Sequence, residues 1–283
     1  TATATAPQPP PSQQTMTRQS HRSRNRGRAK QRSLSLVSNN SCNSNYHQIE
    51  KDIDRSSLNY YSSDSKDKHN LGRILHSMFD ESDDMHYIQG FNDVVSVFYA
   101  VCDQPGLAKK LSKKVARTLL KDYVMNGRSE LNFEYCLKSI FKLIKYHDAQ
   151  LDELFDSIDS VCALSFCVSW LLTWFAHEIK DKAVIARIYD YCLCSHQSIS
   201  LYLSAALLIY CKQGLLSTVT DDVTLHVFFQ KLQWQHLDFN KIIEIAETLH
   251  GKYPPSMILP VSSSFSSLNA ISVMIDLTEL NND

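Results

Sequence analysis

HYIQGFND, residues His86–Asp93, sets a glycine beside a glutamine in a chain of 283 residues that has only seven glycines. Before it, Leu71, Ile74, Leu75, Met78 and Phe79 recur at the three- and four-residue spacing of a helix face. After it comes a long apolar run. A glycine followed by amides and an acid at such a junction fits a turn that opens a helix.

The same helical spacing repeats outward from this stretch. Leu107, Leu111, Val115 and Leu119 return every four residues with lysines between them; Phe133, Leu137, Ile140, Phe141 and Ile144 form a second stripe, and Val184, Ile185, Ile188 and Tyr189 a third. The Asp and Asn of DKHN (67–70) read as caps ahead of the Leu71 stripe. Ser198–Lys212 reads as one apolar helix ended by a left-handed cap at Gly214. TDDVTLHVFFQKL opens on acids suited to a helix start, and DFNKIIEIAETLHG has Asp238 as a cap and Gly251 as a stop. Alternating strand patterns and hairpin turns are nearly missing, so the expected fold class is all-α. The spacings between helices vary, which argues against a solenoid.

Composition, 43% hydrophobic and 21% charged, is that of a globular chain large enough to bury one or two cores. The net charge of −1 hides an asymmetry. Seven of the 29 basic residues (Arg18, Arg22, Arg24, Arg26, Arg28, Lys30, Arg32) precede Gln48 with no acid among them, leaving 22 against all 30 acids, a balance of −8. Residues 1–45 are otherwise Thr, Ala, Pro, Ser, Asn and Gln, too poor in apolar surface to offset the entropy of ordering, and are read as a disordered basic tail. The tail has no aromatics among its charges and the rest of the chain is acidic, so nucleic acid is not an expected partner. Eight cysteines scattered in apolar runs without a Cys-x-x-Cys fit reduced, buried thiols rather than a disulfide framework or zinc site. Ser160–Ala176 and Tyr191–Cys211 are uncharged; the first is shorter than the roughly 20 residues of a bilayer span and the second is broken by His196, Gln197, Ser198 and Ser200. Both are predicted as central core helices.

Phosphate-loop, dinucleotide, nucleophile-elbow and His-Glu-x-x-His signatures are missing. His177-Glu178, with no second histidine one turn on, reads as the end of a surface helix, and no metal site is expected. Two short patterns remain. In IEKDIDR, Ile49, Asp52 and Arg55 are spaced by three, along one side of a helix. In YIQGFND, Tyr87, Gln89, Gly90 and Asp93 surround the glycine. Either alone is commonplace: Asp and Arg at that spacing make solvated ion pairs, and Gln-Gly makes turns.

In this order, Ile-x-x-Asp-x-x-Arg followed by Tyr-x-Gln-Gly-x-x-Asp resembles the multi-helix TBC domain of Rab GTPase-activating proteins, and both patterns are complete. SFCVSWLLTWFAHEI, ARIYDYCLCSH and KYPPS resemble the family's endoplasmic-reticulum-linked branch. The resemblance implies a TBC domain over 46–256 and a C-terminal tail over 257–283. It also implies an activator, not an enzyme in its own right, that supplies Arg55 as an arginine finger and Gln89 as a glutamine finger to a GTP-bound Rab. Asp52, Tyr87, Gly90, Asp93 and Ile49 would support them. The chemistry has a physical need behind it: a Rab hydrolyses GTP slowly because charge building on the phosphate oxygens and the attacking water both lack a partner. A permanently charged planar guanidinium answers the first lack, and an amide that accepts and donates at once answers the second.

The resemblance further implies no cofactor of its own beyond the Rab-bound GTP and Mg2+, and a cytoplasmic location at endoplasmic reticulum or Golgi membranes in vesicle traffic. A catalytically silent TBC scaffold that binds a Rab or an adaptor is the alternative. Two departures from the family pattern stand out. The Arg-rich, tryptophan-containing helix upstream of Arg55 is replaced by the basic tail, and the Thr-Phe-Pro that often follows the arginine is replaced by SSLNYYSS. Against the family pattern, the first helices are either missing or replaced by unrelated sequence, the lack of an initiator methionine points to a fragment or an incomplete gene, and the branch's C-terminal membrane anchor is either absent or lost with the fragment.

Overall fold

The computed structural model describes Thr1 and residues 45–55, 65–82, 84–124, 129–158 and 166–259. Contacts divide the chain into Thr1–Asn43 and Ser44–Asp283, and every described helix lies in the second unit. The expectations for the basic tail and for most of the C-terminal tail fall outside the described residues.

The architecture is all-α, with no strand among the described residues. In chain order the helices are α1 (45–55), α2 (Ser65–Asp80), α3 (Phe91–Cys102), α4 (Pro105–Arg117), α5 (Lys121–Val124), α6 (Ser129–His147), α7 (Ala149–Asp156), α8 (Cys167–Thr173), α9 (Lys182–Cys194), α10 (Ile199–Tyr210), α11 (Lys212–Thr218), α12 (Asp222–Gln230), α13 (Phe239–Lys252) and α14 (Pro255–Ile258). At the centre is α10, buried on all sides from Ile199 to Leu208, as a helix without a polar face must be. It packs on α13, α6 and α8. No single helix among the described residues is long and apolar enough to cross a membrane; α10 and α11 together have the length and composition but bend by 60° between them.

Local chemistry explains four of the helix starts. Asp148, Asp181, Asp221 and Asp238 each accept backbone N–H bonds at the first turns of α7, α9, α12 and α13, and Asp221 with Thr224 forms a capping box. The stripe from Leu71 to Phe79 is buried along α2 as its spacing predicts.

Four local expectations are corrected. The DKHN residues do not precede α2 but lie within it, because Asn70 Nδ2 donates to Tyr99 Oη at 2.8 Å and that hydroxyl donates to Asp67 Oδ1 at 3.3 Å, giving them partners on α3 in place of a capping role. Gly214 is no left-handed cap; it sits inside α11, where its missing side chain makes room for the Phe228 ring. Gly251 also lies inside its helix, which runs on to Lys252. His177 and Glu178 lie in a series of turns after α8, because Trp174 and Phe175 take left-handed backbone angles (φ 46° and 69°) that end the helix.

Two of these helices position the site. On α1, Ile49 and Ile53 are buried, Ile53 lies against Gly72 of α2, Glu50 Oε1 meets His76 Nε2 at 2.7 Å, and Tyr46 stacks on His76 with ring centroids 4.2 Å apart. On α3, every residue from Val94 to Ala100 is buried, with α2, α4, α8 and α9 packed around it.

Candidate functional site

Ile49, Asp52 and Arg55 lie on α1, three residues apart, and part ways in exposure. Ile49 and Asp52 are buried, and Arg55, at the end of the described helix, is exposed. A carboxylate taken from water must be hydrogen-bonded. Asp52 Oδ2 accepts from the Tyr87 hydroxyl at 2.8 Å and from the Gly90 backbone N–H at 3.2 Å, while Oδ1 accepts from Gln48 Nε2 at 3.0 Å. Burial first, and the adjacent Asp52 charge second, hold the Tyr87 hydroxyl far above its ordinary proton affinity, so it stays a donor.

The second motif forms the turn into α3. Gly90 stands at its N-cap with φ 93° and ψ −10°, a left-handed conformation that suits a residue without Cβ. Gln89 precedes it and is exposed. Phe91 is fully buried against Phe79, which also meets the Tyr87 ring edge-on at 5.4 Å. The Tyr87 N–H donates to Asn45 Oδ1 at 3.2 Å, a second tie from this turn to α1.

Asp93 closes the first turn of α3, its N–H donating to the Gly90 carbonyl at 3.0 Å. Its carboxylate accepts from Asn92 Nδ2 at 3.1 Å and pairs with His177 Nδ1 at 2.9 Å. Asn92 Oδ1 in turn lies 3.3 Å from the Tyr87 hydroxyl. Gln48, Asp52, Tyr87, Asn92, Asp93 and His177 thus form one polar chain across α1, the α3 turn and the segment after α8.

The structure joins the two motifs through Asp52, Tyr87 and Gly90, with Asp93 in the first turn of α3. Asp52 and Tyr87 are buried, Ile49 anchors α1, Gly90 and Asp93 shape the turn, and Arg55 and Gln89 are exposed. Four further residues escaped sequence reasoning: Gln48, Asn92, Thr173 and His177. Asn92 lies within the second motif and Gln48 adjoins the first, and both could have been suspected as amides beside a buried acid. His177 is 84 residues from its partner Asp93, Thr173 holds its backbone from four residues back, and nothing local marks either. Among the described residues no group of three or more His, Cys, Asp or Glu could hold a metal ion.

A family model described as the Rab-GTPase-TBC domain matches residues 10–216, most of the chain. The chain belongs to the Rab-GTPase-TBC domain family. The TBC match begins inside the segment read above as a tail and ends before α12. Mouse TBC1 domain family member 20 is 28% identical over 183 residues, 65% of this chain and 44% of that protein. GTPase-activating protein gyp10 of Schizosaccharomyces pombe is 24% identical over 217 residues, 75% of this chain and 57% of that protein. The chain therefore spans about half the length of the curated relatives it matches. Its TBC fold is similar to the crystal structure of the Ypt/Rab-GAP domain of Gyp1p, with a TM-score of 0.58 at 18% identity, covering 75% of this chain and 73% of that one.

Proposed function

We propose that the chain accelerates GTP hydrolysis by a Rab-family GTPase, inserting Arg55 and Gln89 in trans at the bound GTP and its Mg2+. One observation carries the reading. The buried Asp52 carboxylate binds the N–H of Gly90, so the helix bearing Arg55 and the turn bearing Gln89 share one support while both long polar side chains remain exposed. In that role the Arg55 fork meets charge on the transferring phosphoryl oxygens, and the Gln89 amide holds the attacking water. The partner supplies the nucleotide and the metal, and this chain supplies charge and position.

Membership of the family and similarity to a relative named as a GTPase-activating protein support an activator role. Placement at endoplasmic reticulum or Golgi membranes rests on the resemblance of residues 165–179 and 186–196 to that branch and on similarity to family member 20. A GTP-loaded Rab is the partner this reading requires.

The test is single-turnover hydrolysis across a panel of GTP-loaded Rabs. Arg55→Ala and Arg55→Lys should lower the stimulated rate by about three orders of magnitude or more. Gln89→Ala should lower it by about a hundredfold, with Rab binding retained in all three. Undiminished stimulation by the Arg55 variants would refute the assignment, and binding without any acceleration by the wild-type chain would favour a silent scaffold.

A further inference from the structure

The polar chain that begins at Gln48 does not end with the motif residues. Its last member, His177, is fastened on two sides. Its Nδ1 pairs with Asp93 Oδ2 at 2.9 Å, and its backbone N–H donates to Thr173 Oγ1 at 3.3 Å. The Thr173 methyl is the nearest atom, at 3.6 Å, to the place a Cβ on Gly90 would take. The ring thus stands beside the turn that carries Gln89, yet its side chain is 62% exposed. A core histidine kept for packing would be buried, and a solvated surface histidine would not be fixed at both its ring and its backbone.

We propose that His177 is a positioning residue for the glutamine-bearing turn, acting through Asp93 to fix the first turn of α3 and with it the pose of Gln89. The inference rests on the activator reading above. The start of α3 needs such help, because its N-cap is a glycine that offers no side-chain bond to the free N–H groups. Asp93 is the acid of that first turn, well placed against the helix dipole, and His177 holds its second oxygen.

The pairing has a charge state. The Asp93 bond raises the proton affinity of His177 above its ordinary value against the opposing pull of burial; Glu178 also raises it and Lys180 lowers it. Below the raised pKa the contact is imidazolium to carboxylate. Above it, a neutral ring with its proton on Nδ1 still donates, without the charge. The turn is therefore held more firmly on the acid side.

The stimulated rate is measured with the full chain as wild type, His177→Ala and His177→Asn, between about pH 6 and about pH 8.5, the range in which histidine titrates. His177→Ala should lower kcat about tenfold with little change in KM, the signature of a misplaced group rather than a lost binding contact. Asn places its amide nitrogen where Nδ1 stood, so His177→Asn should recover to within about threefold of wild type. It should also lose the extra fall in rate that wild type shows as pH rises. His177→Ala matching wild type in rate and pH profile overturns the inference and leaves the activator reading intact; a wild-type chain that accelerates no Rab overturns both. An NMR titration of His177 in the chain alone decides independently of any Rab, since a pKa at the ordinary value and unmoved by Asp93→Asn overturns the inference.

Discussion

The carboxylate of Asp52 accepts the backbone N–H of Gly90 at 3.2 Å across 38 residues of sequence. One buried anion therefore sets the distance between the Arg55 helix and the Gln89 turn, and damage to it should be felt twice. Replacing Asp52 with Ala strands the Gly90 N–H and leaves the Tyr87 hydroxyl only the longer bond to Asn92 Oδ1, at a cost of about 1–3 kcal/mol by urea unfolding. Asp52→Asn keeps the shape and loses the charge, and should cost about half as much. Both should depress stimulated hydrolysis beyond what their loss of stability explains.

Gly90→Ala isolates the backbone contribution. A Cβ there would meet Thr173 and Leu172 at ordinary contact distances of 3.6 and 3.9 Å, so no clash arises. The φ of 93° remains, and holding an alanine in that region costs about 1–2 kcal/mol. A thermal midpoint equal to wild type would contradict the left-handed turn.

Two other glycines should respond in opposite directions. Gly251 lies inside α13 with nothing within 4 Å of its would-be Cβ, and Gly251→Ala should stabilise by about 0.5–1 kcal/mol. Gly214 also lies within a helix, but its Cβ would come 2.9 Å from the Phe228 ring, and Gly214→Ala should destabilise by about 1 kcal/mol as that ring gives way. Differential scanning calorimetry of the pair separates helix propensity from space.

Acid should loosen the joint between α7 and α11. Asp148 caps α7 and receives Lys212 Nζ at 2.6 Å. Burial pushes its carboxyl up, but Lys212 and the capping amides outweigh this and leave it below its ordinary 3.8. A depressed native pKa gives stability that is complete above 3.8 and is lost as pH falls through the native value. Asp148→Asn should be less stable than wild type near neutrality by about 1 kcal/mol. The two unfolding curves should converge as pH falls to about 2.

The fold class was legible because helix periodicity is a local property: the Leu71–Phe79 stripe, the Asp238 cap and the apolar helix read over Ser198–Lys212, which the structure ends at Tyr210, follow from neighbours in sequence. The site was legible as far as the motifs reach. Ile49, Asp52 and Arg55 share a spacing, but nothing in that spacing says that Asp52 turns inward while Arg55 stays out; the Tyr87 hydroxyl and Gly90 amide decide it. The misread positions share a cause. Asp67, Asn70 and Gly214 were assigned by what such residues do alone, and each answers to a partner elsewhere, Tyr99 on α3 or Phe228 on α12. His177, with no second histidine one turn on, reads as a helix end, and the reversal before it is made by a tryptophan and a phenylalanine, residue types that carry no turn signal.

That reversal has its own consequence. Holding Trp174 and Phe175 left-handed costs about 1–2 kcal/mol each, and the rings offset it: Trp174 sits edge-on to Tyr189 at 5.2 Å, Phe175 stacks on Trp170 at 5.6 Å, and the Tyr189 hydroxyl holds the Thr173 carbonyl at 2.9 Å. A bend made of glycines behaves as a joint; this one behaves as a bracket, bolted by its own side chains. Its stiffness is borrowed from the core, so a cavity cut as far away as Tyr189 would reach the surface as play in the mounting of His177.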